Sequence, residues 1–458
     1  MKKKYKLLLI KPAQMANGKL LKFEKALTPT RTLPYIAGMT PPEFEVRIVD
    51  EFVQEVDFEE NVDIVGITAL LPQVPRAVQI ANEFRRRGVK VVMGGVGPTS
   101  VADEVLPSVD ALVMGEAEGV WQGLLEDFKT GNIRKVYRNT KVVPLHNLPL
   151  PRFDLLNPEN YLFPGKEISK TNLPRVPIET ARGCPHNCEF CYSSRFFGRK
   201  VRFRPIDEVI REVEQFRHSY IFFVDDNINA NPARSEELFK KLIPLKVKWV
   251  AQFSTESVKY PELLELAKKA GCVNAFIGME SLNSASLSSV GKSFNTRFPP
   301  NKIIETFRDI GIEVNVSMIF GFDHDTPDSL IETTEFLIQN KVHLLSLFIL
   351  TPLPGTSLFE KFDASGRLLH KDFSLYDASH VVFNPKNFTP EELEELYWNS
   401  FEKFYSSGNI IKRFSDFWRW RRNLPRFWHM FKGNIFSQIM IKNKINPLAG
   451  GVLPKIHK

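Results

Sequence analysis

Twice along this sequence, short uninterrupted runs of Val, Ile and Leu alternate with amphipathic segments, and that alternation leaves few folds open. The first series of runs is Lys6–Ile10, Glu45–Val49, Val62–Thr68, Lys90–Gly94 and Ala111–Met114. Runs this short and continuous suit parallel strands buried on both faces. Helical patterns separate them, clearest at Val74–Arg87, which Gly88 ends. The pattern predicts a doubly wound α/β sheet.

A proline-rich stretch, LHNLPLPRFDLLNPENYLFPG, then interrupts the periodicity and reads as a linker. The alternation resumes at Pro177–Ala181, Ile221–Val224, Trp249–Phe253, Asn274–Gly278, Glu313–Ile319 and Leu344–Leu350. Six strand–helix units predict a partial (β/α)6 barrel, with its chemistry at the C-terminal strand ends. Beyond Phe359 the pattern turns mostly helical, clearest at Pro390–Tyr405. The predicted organisation is a Rossmann-like domain over 1–135, a linker over 136–172, a barrel over 173–358, and a helical region with a basic aromatic tail over 359–458.

With 43% hydrophobic and 25% charged residues the composition is that of a globular protein. Four cysteines in 458 residues exclude a secreted disulfide scaffold and point to a reducing compartment. The opening MKKKYKLLLIKPAQ lacks a small-residue cleavage site and reads as a first buried strand rather than a signal peptide. No apolar run approaches the roughly 18 residues of a spanning helix. A cytoplasmic location is expected.

Three of the cysteines, Cys184, Cys188 and Cys191, fall in the stretch RGCPHNCEFCYSSRFFGRK, directly after the first predicted barrel strand. A structural zinc site wants four ligands, usually as two separated pairs, and no second pair is present; zinc remains the alternative reading. A four-iron cubane held by three thiolates would keep one iron open. The spacing C-x3-C-x2-C, with the aromatic Phe190 before the last cysteine, resembles the signature of the radical S-adenosylmethionine (SAM) enzymes. The resemblance implies a [4Fe-4S] cluster whose fourth iron is chelated by SAM. Its reduction splits SAM and yields a 5′-deoxyadenosyl radical. Cys272 is a buried apolar residue or a free thiol, with no role assigned.

The same resemblance assigns further residues at strand ends. In FVDDN, Asp225 and Asp226 are candidates for the amino group of SAM, although adjacent acids on an extended strand cannot both face inward. In IGMES, Glu280 resembles the family's ribose-binding carboxylate, which suits two vicinal hydroxyl donors. Gln252, ending the third strand, is a further SAM candidate. Each is otherwise a helix cap or a surface residue.

In the first domain, VVMGGVGPT and ALVMGEAEG each place a Gly-rich turn after a buried strand. With VDIVGIT they resemble the cobalamin-binding domain that precedes many radical SAM barrels. Thr68, Gly94, Gly95 and Gly115 are the expected pocket residues; otherwise these glycines only make tight turns. The lower-ligand motif D-x-H-x-x-G is missing, since the corresponding run is KPAQMANGKL, and Gly97 stands where many relatives carry histidine. Cobalamin would therefore bind without that histidine.

From Lys412 to Lys458 there are eleven Lys or Arg against one acid, Asp416, interleaved with Trp418, Trp420, Phe427 and Trp428. This pattern suits an anionic membrane surface, or a helix capping the barrel with arginine stems over the core. Nucleic acid ranks below both, because no recognised motif accompanies the charge. The resemblance implies flavodoxin or ferredoxin as electron donor. It also implies an enzyme that methylates a carbon of a small hydrophobic substrate, a lipid or a tetrapyrrole, and consumes SAM twice. The alternatives are a cobalamin-dependent radical cyclase or rearrangement enzyme, and, in another class, a non-catalytic iron–sulfur or zinc protein that binds membrane or RNA.

Overall fold

The computed structural model describes residues 4–16, 18–161, 173, 175–415, 424–449 and 451–455. Two six-stranded parallel sheets follow one another. The first holds β1 (Tyr5–Lys11), β2 (Phe44–Asp50), β3 (Ile64–Thr68), β4 (Lys90–Gly94), β5 (Ala111–Met114) and β6 (Val136–Arg138), in the order β2-β1-β3-β4-β5-β6. The order reverses between β1 and β3, so the crevice beyond their C-terminal ends is the switch point at which such sheets bind ligands. Leu8 and Ile10 pack with Ile80 and Phe84 of the helix Val74–Arg86, while Leu7 and Leu9 join Leu33, Trp121 and Leu124 on the other face. Burial on both faces explains why these runs are apolar without alternation.

The second sheet holds β7 (Arg175–Ile178), β8 (Tyr220–Phe223), β9 (Lys248–Phe253), β10 (Cys272–Glu280), β11 (Glu313–Phe320) and β12 (Leu344–Ile349), parallel and in chain order. Trp249, Ala251 and Phe253 are buried on the helix side of β9, and the Trp249 ring lies 5.1 Å from Phe239 and 5.5 Å from Phe223. Gln252 therefore faces the lumen. It lies level with Phe276 and Asn315, and Gly278, Ser317 and Ser346 form a neighbouring level. A lumen with this many polar side chains departs from the branched apolar filling usual in closed barrels.

Two features differ from the sequence expectation. The first barrel strand ends at Ile178, and Ala181–Arg182 instead pairs antiparallel with Arg202–Phe203. Backbone N–H groups of Thr180 and Ala181 are drawn aside to the Asp225 carboxylate, which breaks the strand there. The tail is helical over Ser407–Phe414 and Leu424–Lys442, but it ends in a strand, Gly451–Lys455, paired antiparallel with Lys22–Ala26. Met440 packs with Phe23 and Phe52, and Asn446 donates to the Tyr397 hydroxyl at 3.0 Å and to the Leu347 carbonyl at 3.3 Å. Trp418 and Trp420 lie outside the described residues. Among the described residues, no helix is long and apolar enough to cross a membrane.

Candidate cluster and cofactor site

The cysteine loop leaves the C-terminal end of β7 and is closed at its base by the Ala181–Arg182/Arg202–Phe203 pair. Gly183 takes φ = 92°, and a Cβ there would lie 2.8 Å from the Gly198 carbonyl oxygen, so the two arms touch through backbone. All three thiols are free; Cys188 is buried and Cys184 and Cys191 are half-buried. Burial pushes the Cys188 thiol up to about 12 and raises that of Cys184 as well. Thiols in this state become thiolates by binding a metal, not by ionising alone. The Cys188–Cys191 turn closes through a Cys191 N–H bond to the Cys188 carbonyl at 3.1 Å. Phe190, between them, packs against the barrel core with its ring 6.3 Å from Phe322.

The adjacent acids divide their work. Asp225, 3% exposed, accepts from the Thr180 amide at 2.6 Å, the Thr180 hydroxyl at 2.5 Å and the Ala181 amide at 3.2 Å. Burial raises its pKa to about 6 against the lowering effect of those bonds. Its oxygens are committed to fixing the turn into the cysteine loop. Asp226 accepts one bond, from Ser193 at 2.7 Å, two residues beyond Cys191, and burial raises its pKa as well.

Glu280 ends β10 on a bulge, with φ = 65°. Left-handed backbone at a non-glycine residue is strained and persists only where its surroundings fix it. Here Lys292 donates to one carboxylate oxygen at 2.5 Å and Ser317 to the other at 3.0 Å. The carboxylate folds back over Gly278, where a Cβ would collide with Oε1. Burial alone would lower the pKa of Lys292, but the Glu280 carboxylate outweighs burial and raises it. This lysine, whose ammonium lies 5.7 Å from the Phe190 ring centroid, brings positive charge to the thiols. Sequence reading missed it because no motif marks the loop Gly291–Asn295.

On the first sheet, Thr68 and Gly94 lie side by side at the ends of β3 and β4. Gly95 and Gly115 take φ of 98° and 80°; a Cβ on Gly95 would lie 2.6 Å from Thr68 Oγ1, whereas one on Gly115 would meet nothing within 4 Å. Leu70, above the same strand ends, is 57% exposed. Gly97 sits so tightly on the backbone of Leu70 and Leu71, 2.6 Å from carbon to a built Cβ, that no side chain fits there. Tyr192, next to Cys191, reaches this region: its hydroxyl is 3.5 Å from the Val96 carbonyl.

A buried ion network joins the two halves. Arg182, two residues before Cys184, pairs with Glu116 at 2.5 Å, Glu118 at 2.7 Å and Glu179 at 2.8 Å, and Arg202 pairs with Glu116 at 2.9 Å. Tyr35 donates to Glu118 at 2.7 Å. Burial opposes the Arg182 charge, and the carboxylates outweigh it, so its pKa is raised. The sequence reading of GEAEG weighed its glycines for turn geometry and overlooked its two acids.

Known proteins carry the same combination. The model of the Radical SAM superfamily matches residues 178–337, and that of the B12 binding domain matches residues 25–125. Bacteriochlorophyllide d C-12(1)-methyltransferase of Chlorobaculum tepidum is 30% identical over 422 residues, covering 90% of either chain. The chain belongs to the cobalamin-binding radical SAM family. Hopanoid C-2 methylase of Rhodopseudomonas palustris is 26% identical, over 76% of this chain and 66% of that one. Among solved structures, the radical SAM methyltransferase TsrM from Kitasatospora setae shares the fold. Its TM-score is 0.61 at 16% identity, over 93% of this chain and 89% of that one.

For a member of the cobalamin-binding radical SAM family the resident groups are a [4Fe-4S] cluster and SAM at the barrel and cobalamin at the B12 binding domain. The residues present fit them. Three free thiols on one closed loop supply a donor for each of three irons and leave a fourth open. Among the described residues, no three His, Cys, Asp or Glu side chains converge on a single ion. On the first sheet, the open space beside Gly115 and the exposed Leu70 lie at the C-terminal strand ends, an uncrowded setting with an apolar side chain that suits a corrin.

Proposed function

We propose that this radical SAM methyltransferase uses cobalamin to methylate an unactivated carbon of a hydrophobic lipid or tetrapyrrole. The observation that carries the reading is Tyr192, which sits beside the third thiol and approaches the Gly-rich turn of the first sheet, so the cluster loop is a neighbour of the strand ends assigned to cobalamin. When bound, the cluster and SAM supply a carbon radical and cobalamin supplies a methyl group. The chain's own residues position and shield these groups. Cys184, Cys188 and Cys191 hold the cluster. Asp226 takes the amino group of SAM, because the oxygens of Asp225 are already engaged. Glu280, steadied by Lys292 and Ser317, accepts the ribose hydroxyls, and Gln252 lines the lumen below. Thr68, Gly94, Gly95 and Gly115 line the cobalamin pocket. A flavodoxin or ferredoxin supplies the electron.

Feeding SAM labelled in its methyl group tests this reading. Label in the product, with 5′-deoxyadenosine formed alongside, is expected. Deoxyadenosine with an unlabelled product would instead indicate cyclisation or rearrangement, and no deoxyadenosine from the reduced protein would sink the enzyme reading altogether.

A contact with the bilayer surface belongs to the same proposal, since the names of the relatives point to hopanoids and bacteriochlorophyllides, which are hydrophobic. Its support is the exposure of Ile411 (64%), Leu424 (53%) and Trp428 (53%) on the tail helices beside Lys412 and Lys432. Apolar side chains among cations suit an anionic interface. The protein is expected to sediment with phosphatidylglycerol-containing vesicles, and the Trp428→Ala protein to do so several-fold less. Equal recovery of both proteins in the supernatant counts against the contact.

A further inference from the structure

The electron that reduces the cluster must come from outside the chain, and the surface over the cysteine loop is charged for one kind of donor. The loop is shallow, with Pro185 and Asn187 exposed. Gly183 abuts the carbonyls of Gly198 and Lys200, so exposed Arg199 and Lys200 stand beside Cys184. On the opposite side, the Leu358 amide donates to the Glu189 carbonyl at 3.1 Å, which sets Lys361 over the Cys188–Cys191 turn. Arg195 bonds to Ser357 on that side. Across the loop, His186 stacks on Phe294 at 3.8 Å and approaches Glu256, the partner of Arg297 and Lys259.

Carboxylates occur in this rim, and their pairing leaves cations in excess. Glu189 pairs with Lys361 at 2.7 Å, Glu256 with Lys259 and Arg297, and Glu360 lies 4.0 Å from Arg195. Arg199 and Lys200 have no carboxylate partner among the described residues. The basic tail is less well placed. Asn434 there donates to the His343 carbonyl, at the N-terminal end of β12, whereas the cysteine loop lies at the C-terminal strand ends. Electron tunnelling falls exponentially with distance, so a donor held there would be far from the cluster.

We propose that the rim formed by Arg195, Arg199, Lys200, Arg297 and Lys361 is the docking face for a small acidic one-electron redox protein. The proposal rests on the radical SAM reading. In the step it serves, the donor is oxidised by one electron and the cluster gains that electron, with no proton or group transferred. Long-range attraction between such a rim and an acidic partner raises association rates by about 10- to 1,000-fold, and salt screens it.

The test compares two reductants on the anaerobically reconstituted holoenzyme, a reduced acidic flavodoxin and titanium(III) citrate, with deoxyadenosine as readout. For R199E/K200E, the flavodoxin concentration giving half-maximal rate is expected to rise at least about tenfold at low ionic strength, with a flatter salt dependence. The titanium-driven rate and the iron content should match wild type. K361E should shift the flavodoxin dependence in the same direction. If the loop variant loses iron, K361E decides by the same comparison. Unchanged flavodoxin dependence in the folded variants overturns the docking face. Failure of wild type to cleave SAM with titanium citrate would instead overturn the radical SAM reading.

Discussion

Cys188→Ala protein, rebuilt with iron and sulfide in the absence of oxygen, is expected to form no detectable 5′-deoxyadenosine from SAM while keeping its fold. Cys188 is the most buried of the three loop thiols, at 9% exposure. Its removal leaves two thiolates for a cubane that needs three from the chain. The packing loss is one small side chain, about 1 kcal/mol, against a stability several times larger. Far-UV circular dichroism should therefore match wild type. Cys272→Ala is the control: that thiol, 1% exposed on β10, lies in the core away from the loop, and its replacement should leave SAM cleavage intact. Wild-type cleavage by Cys188→Ala would remove the three-thiol assignment.

The second large effect is expected on stability. Arg182→Met leaves Glu116, Glu118 and Glu179, each little exposed, without their shared cation. Breaking a buried ion network by removing one partner destabilises by roughly 3–5 kcal/mol, because the remaining charges stay desolvated. In a domain of this size that is on the order of 10 °C in melting temperature. Arg134→Met provides the contrast. Its pair with Asp127 is exposed, with the arginine side chain 68% accessible and screened by solvent, and its loss should leave the melting temperature close to wild type. Thermal melts followed in the near-UV measure both, and equal melting of the two variants would show that the network carries no stability.

Much of this architecture could be read from local pattern. The first sheet announced itself because parallel strands covered on two sides must be apolar, as Leu7–Ile10 and Val91–Met93 are, and the second through the repeated alternation of strand and helix. The cysteines were legible because a single loop supplies all the thiols. Other parts of the site depend on residues brought together from distant segments. Asp225 and Asp226 are indistinguishable in sequence, and the amides of Thr180 and Ala181 with the Thr180 hydroxyl single out the first. Lys292 becomes informative through a bulge that turns Glu280 toward it. Glu116 and Glu118 read as surface acids of a turn until the fold sets Arg182 and Arg202 against them.

The pairing of Gly451–Lys455 with Lys22–Ala26 has a consequence for biogenesis. Its two strands lie far apart in the chain. A ribosome releases the early one long before its mate, so the nascent chain carries an uncovered hydrogen-bonding edge until residues 451–455 emerge. Closure of this small sheet thus awaits synthesis of residues 451–455, after the strands of both six-stranded sheets have already been made.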